Sequence, residues 1–169
     1  MAKTIKKVGV IGAGHMGSGI AHVCALAGLS VVLNDISADR LKAALATING
    51  NMARQVKRKR ITEEQRKDAL KRISPAEAIE EFSDCDLVIE AATEKEDVKR
   101  KIFSELCPVL RADAMIGSNS SSISITRLAA ATDRPEKFIG VHFMNPPAVM
   151  EVVELIRGIA TDDATFDTA

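Results

Sequence analysis

The chain has 169 residues, enough for one domain able to bury about two-thirds of its unfolded surface. It is 46% hydrophobic and 27% charged, with 23 basic side chains against 23 acidic ones, so no overall field draws it to nucleic acid or to a membrane surface. No apolar stretch approaches the roughly 18 residues of a membrane span, and a first strand expected by about residue 7 leaves no room for a signal peptide, which makes a cytoplasmic location the expectation.

Residues 7 to 35 form one device. The apolar run Lys7-Val8-Gly9-Val10-Ile11 leads into Gly12-Ala13-Gly14-His15-Met16-Gly17, a helical pattern follows through Met16, Ile20, Val23 and Ala27, and a second apolar run from Ser30 ends at Asp35. Glycines at this spacing are common in plain tight loops, but a strand before, a helix after and an acid ending the next strand are what a dinucleotide site requires. Gly12 permits the turn, Gly14 lets the backbone approach a pyrophosphate, and Gly17 lets the helix pack on the sheet. The N–H groups of the helix start, around His15 and Met16, would hold the phosphates. Asp35 would accept hydrogen bonds from both ribose hydroxyls and repel a 2′-phosphate, so the expected cofactor is NAD rather than NADP.

Further along, Leu41, Leu45, Ile48, Met52 and Val56 keep helical spacing for more than four turns, and Thr62-x-x-Gln65 starts a second helix with Ala69, Leu70 and Ile73 on its apolar side. Residues 37 to 73 thus read as a helical hairpin inserted between strands. Asp86 to Ala91 is a short buried strand, followed by a helix through Val98, Ile102, Leu106 and Val109. Strands are expected at 114–117, 138–142 and 152–156, and the start of a helix at 161–169. The alternation specifies an α/β fold: a Rossmann-type, doubly wound, mostly parallel sheet carrying a long hairpin, in one dinucleotide-binding domain over 1–169. Cys24, Cys85 and Cys107 are odd in number and lack a C-x-x-C pattern, and are expected to be reduced packing residues. His15 and His22 share a helix without a third ligand, so no metal site is expected, and both are read as surface or loop residues.

Ligands of open α/β sheets bind outside the carboxyl ends of the strands. Three polar segments end there: Ser118-Asn119-Ser120-Ser121-Ser122, His142 in Gly140-Val141-His142-Phe143-Met144-Asn145-Pro146, and Glu154. A histidine beyond a buried strand can take an alcohol proton, with a carboxylate behind it to stabilise the imidazolium, as hydride transfer to a nicotinamide requires. The alternatives are a structural histidine, a serine-rich turn or helix cap, and a glutamate paired with a surface base. The basic run Arg54, Lys57, Arg58, Lys59 and Arg60 is either a solvated helix face or a phosphate contact. It is too short, in a chain with 3% aromatics, to imply nucleic-acid binding.

Four ordered motifs, Gly12 to Ala21, Asp86 to Ala92, Ser118 to Ser122 and His142 to Pro146, resemble the 3-hydroxyacyl-CoA dehydrogenases along the whole chain, and most of all their bacterial 3-hydroxybutyryl-CoA branch. The resemblance implies NAD-dependent interconversion of a short-chain (S)-3-hydroxyacyl-CoA and its 3-oxo form, with 3-hydroxybutyryl-CoA or acetoacetyl-CoA as substrate. It implies His142 as general base, Glu154 as its partner, Ser121 on the reacting oxygen and Asn119 beside it. Glu94 and Lys95 would line the nicotinamide-ribose side, and Arg54 and Arg58 would meet the phosphates of coenzyme A. It also implies a following helical domain, absent from these residues, that supplies the other wall of the acyl site and a homodimer interface. Ser120 and Met144 replace a threonine and a phenylalanine common in the family and remove no reacting group. A dehydrogenase of the 3-hydroxyisobutyrate or 6-phosphogluconate type shares the glycine pattern but uses a lysine for which no motif is present. A non-catalytic dinucleotide-binding module would not need Ser121, His142 and Glu154 together.

Overall fold

The structure, a computed structural model, describes residues 1–169. It begins with β1 (Lys7–Ile11), α1 (His15–Leu26) and β2 (Ser30–Asn34), followed by the hairpin helices α2 (Ala38–Lys57) and α3 (Glu63–Arg72). Then come β3 (Ile73–Ala76), β4 (Leu87–Glu90), α4 (Glu96–Leu106), β5 (Met115–Ser118), the short α5 (Ile125–Ala129), β6 (Phe138–Phe143), β7 (Val153–Arg157) and α6 (Asp163–Thr168). The seven strands make one sheet in the order β3-β2-β1-β4-β5-β6-β7. All neighbours are parallel except β6 and β7.

Each sheet face is covered by helices, which is why the central strands are apolar on both sides. One face buries Ile20, Leu33, Ile48 and Met52 beneath α1 and the hairpin. The other buries Phe82, Phe103, Leu106 and Phe138, with the Phe103 and Phe138 rings meeting edge to face at 5.2 Å. Side chains of this kind contribute about 1.5–3 kcal/mol each when fully buried. The hairpin forms where the periodicity places it. Ser37 caps α2 by accepting from the Arg40 N–H at 3.2 Å, and Thr62 and Gln65 cap α3 reciprocally at 3.1 and 2.8 Å.

Three expectations are corrected. Ile73 does not end the second hairpin helix but opens β3, a strand the sequence hid because Pro75 interrupts it. β3 lies at the sheet edge, where a missing N–H is tolerated, and pairs with β2 from Val31↔Ile73 to Asn34↔Ala76. In α4 the inward residues are Lys99, Phe103 and Leu106; Val98 is exposed and Val109 lies beyond the helix. A lysine faces inward because a buried glutamate awaits it. His22, expected at the surface, is buried on α1 and hydrogen-bonded to Gln55 of α2 at 2.8 Å. Burial lowers its pKa below the ordinary histidine value, against the opposing effect of the Gln55 hydrogen bond. The three cysteines are free and buried, and desolvation pushes the Cys24 and Cys85 thiols up to about 11 and about 12.

Candidate active site

The strand order reverses direction between β1 and β4, and the crevice outside their carboxyl ends is where an open α/β sheet receives a ligand. The turn after β1 is compressed against its surroundings. A Cβ on Gly17 would stand 1.6 Å from the carbonyl oxygen of Gly12, and Gly12 itself has φ +102°. Gly14 differs: a Cβ there would meet nothing within 4 Å, so its backbone faces open space. The first intrahelical bond of α1 runs from Ser18 N to Gly14 O at 2.9 Å, and no side chain caps the helix. The N–H groups of His15, Met16 and Gly17 are therefore left for an external acceptor such as a phosphate. Asp35, just after β2, is buried; one carboxylate oxygen accepts from the Ala13 N–H and the other from the Ser37 N–H, each at 3.0 Å. It ties the glycine turn to the second strand and puts negative charge where a ribose would lie. A glycine face open to a pyrophosphate, free helix N–H groups and a carboxylate at the ribose position together fit NAD.

A cavity of about 480 Å³ continues from Gly14 across the strand ends to Asn119, Ser121 and His142. His142 and Glu154 are direct register partners across β6 and β7, and Nδ1 of the imidazole lies 3.4 Å from Oε1 of the carboxylate. Antiparallel pairing alone creates this juxtaposition, as residues directly opposite project to the same face. Asn119 sits at the end of β5, where its Oδ1 accepts the Phe143 N–H at 2.8 Å and so clamps the histidine strand to its neighbour. Ser121 is exposed at the cavity wall. The structure thus gathers a histidine–carboxylate pair, a serine hydroxyl and an asparagine around the same space as the glycine turn.

A model of the 3-hydroxyacyl-CoA dehydrogenase NAD binding domain matches residues 7–169. The chain belongs to the 3-hydroxyacyl-CoA dehydrogenase family. It is 70% identical over all 169 residues to the 3-hydroxybutyryl-CoA dehydrogenase of Bradyrhizobium diazoefficiens, of which it spans 58%. The crystal structure of (S)-3-hydroxybutyryl-CoA dehydrogenase from Ralstonia eutropha superposes with a TM-score of 0.93 at 46% identity, covering 96% of this chain and 57% of that one. That of 3-hydroxybutyryl-CoA dehydrogenase from Escherichia coli gives 0.95 at 41% identity, covering 98% and 35%. The Rossmann-type sheet and NAD as cofactor agree with this membership.

Within this dehydrogenase domain the remaining expected residues separate. Glu94 lines the cavity; burial opposes its charge, but the Ser122 hydroxyl, the Lys99 ammonium and the Ser120 hydroxyl outweigh that and hold its carboxyl below the usual range. Lys95 is not brought to the cavity: it is the exposed N-cap of α4. The lysine that does reach the wall is Lys99, paired with Glu90 at 2.6 Å, two residues that no motif in the sequence marks as part of the site. The available signal was the acid ending β4 followed nine residues later by a lysine on the core side of α4. Arg54 and Arg58, one turn apart at the end of α2, line a second cleft of about 270 Å³ with His22 and Asn51. Arg54 donates to the Asn51 side chain. His15 borders both clefts, with Nε2 2.6 Å from Asn145 Oδ1.

Proposed function

We propose that this domain serves NAD-dependent interconversion of a short-chain (S)-3-hydroxyacyl-CoA and the 3-oxoacyl-CoA. The observation that carries the reading is His142 on the wall of the cavity that begins at Gly14, with Glu154 Oε1 3.4 Å from its Nδ1. NAD, when bound, supplies the acceptor for the hydride leaving C3. In the oxidative direction His142 takes the proton of the 3-hydroxyl, since the carbon–hydrogen pair departs only as the oxygen loses its proton. Glu154 stabilises the imidazolium so formed, and Ser121 donates a hydrogen bond to the reacting oxygen. Asn119 keeps the β5 and β6 ends together while this happens. Reduction of acetoacetyl-CoA runs the same proton path in reverse.

Arg54 and Arg58 supply the guanidinium forks for the phosphates of coenzyme A, in a cleft that meets the cofactor cavity at His15. A helical domain of the kind the resemblance implies would complete the acyl wall and the homodimer, and a cytoplasmic location belongs to the same reading. No helix of the chain is long and apolar enough to cross a membrane. The test is acetoacetyl-CoA-dependent oxidation of NADH by a polypeptide of the relatives' full length carrying these residues. His142→Ala is expected to remove most turnover while NADH affinity stays within about twofold. Full turnover in that variant would overturn the assignment.

A further inference from the structure

The run Ser118-Asn119-Ser120-Ser121-Ser122 alternates. Asn119 and Ser121 line the cavity, whereas Ser118, Ser120 and Ser122 spend their hydroxyls on a charged network of Glu90 and Glu94, the second of which borders the same cavity. At its centre Glu90 is wholly buried: Oε1 accepts from Lys99 Nζ at 2.6 Å and from the Ser118 hydroxyl at 2.8 Å, and Oε2 accepts the Ala92 N–H at 2.9 Å. Lys99, itself 1% exposed, also lies 3.7 Å from Glu94 Oε1. The other oxygen of Glu94 accepts from the hydroxyls of Ser120 at 3.1 Å and Ser122 at 2.9 Å. Ser118 Oγ accepts the Ser120 N–H at 3.3 Å, and Ser120 Oγ accepts the Ile123 N–H at 3.1 Å.

A fully buried ion pair is a poor way to gain stability, because desolvation of both charges consumes most of what their attraction returns, and apolar replacements of similar volume are often as stable or more so. Its distinguishing property is directional: charges and hydroxyls held to one another by several hydrogen bonds restrict the arrangement of the groups around them. Here those groups are the ends of β4 and β5, the start of α4 and the loop between them and the cavity. Taking that cavity as the cofactor's, we infer that Glu90 is a positioning residue, whose carboxylate, through Lys99, Ser118 and Glu94, sets the 119–123 loop so that Asn119 and Ser121 face the cavity. Without the Glu90 charge, the Lys99 ammonium is drawn from Glu90 toward Glu94 Oε1, and the carboxylate whose Oε2 holds Ser120 and Ser122 shifts with it.

The experiment is amide hydrogen exchange on the nucleotide-free 169-residue chain, unsubstituted and as Glu90→Gln, alongside NADH titration and thermal melts. Exchange at 119–123 is expected to rise at least tenfold in Glu90→Gln, with 87–89 and 115–117 within twofold, and NADH affinity to fall at least tenfold. The double variant Glu90→Gln with Lys99→Met removes the buried charge and keeps the test alive if the single variant does not melt cooperatively. It is expected to recover the thermal midpoint but not the loop protection. Because exchange is read without nucleotide, any direct contact of Lys99 with the cofactor does not enter. Unchanged exchange at 119–123 in Glu90→Gln, a uniform rise across the sheet, or recovered loop protection in the double variant would each overturn the inference. Failure of the unsubstituted chain to bind NADH would instead overturn the cofactor assignment.

Discussion

Gly14 and Gly17 lie three residues apart in the same turn, yet the structure gives them opposite duties that two alanine substitutions can separate. At Gly17 the added Cβ would sit 1.6 Å from the carbonyl oxygen of Gly12, a backbone atom that no rotamer change can move aside. Relief requires α1 to back away from the turn, an overpacking penalty at the upper end of the usual range, about 3 kcal/mol. In a domain of this size each kcal/mol shifts the midpoint by about 2–4 °C, so Gly17→Ala should melt about 6–12 °C lower. At Gly14 the backbone is ordinary, with φ −77°, and the Cβ meets nothing within 4 Å. Alanine caps a helix less well than glycine, but it also restricts the unfolded chain by about 0.4–1 kcal/mol, and the two effects largely offset. Gly14→Ala should therefore melt within about 3 °C of the unsubstituted chain. Its methyl nevertheless enters the space through which a pyrophosphate approaches the backbone, and NADH affinity should fall at least about tenfold, equivalent to about 1.4 kcal/mol. Melts followed by far-ultraviolet circular dichroism give the first quantity. NADH fluorescence gives the second. Native NADH affinity in Gly14→Ala, or a native midpoint in Gly17→Ala, would refute this division.

Asp35→Ala should narrow the preference for NADH over NADPH in parallel titrations, because the carboxylate that would repel a 2′-phosphate is gone; an unchanged ratio would refute it. His22 has its pKa lowered from 6.5 by burial, so the unfolded chain binds the proton first, and stability is full above that value and falls as pH drops below it. In His22→Gln the urea midpoint should change less between about pH 7.5 and 5.5 than in the unsubstituted chain, and equal slopes would show that His22 does not contribute. Arg54→Ala and Arg58→Ala should each weaken coenzyme A binding by up to about fivefold, the worth of an exposed ion pair, with a smaller loss in added salt. Calorimetric titration at two ionic strengths checks this, and salt-independent binding would place the phosphates elsewhere.

The features legible in the sequence are those whose cause is local. Gly12, Gly14 and Gly17 announce themselves because a tight turn entering a helix needs those conformations at those spacings, and Asp35 because it ends the next strand. The hairpin follows from apolar repeats and the Thr62–Gln65 capping box, which depend only on residues a few positions apart. What the sequence concealed depends on partners brought from a distance. Lys99 reads as solvent-facing by charge, and only the placement of Glu90 at the adjoining strand end turns it inward. Pro75 argues against a strand until the sheet places β3 at its edge, and His22 reads as surface until α2 lies across it. The alternating serines read as a turn, because which hydroxyls meet Glu90 and Glu94 is decided by three elements converging. Chemistry suggests a histidine with a carboxylate behind it and the resemblance names His142 and Glu154 as that pair, but the 3.4 Å contact comes from the antiparallel register of β6 and β7, a long-range property that no residue spacing states.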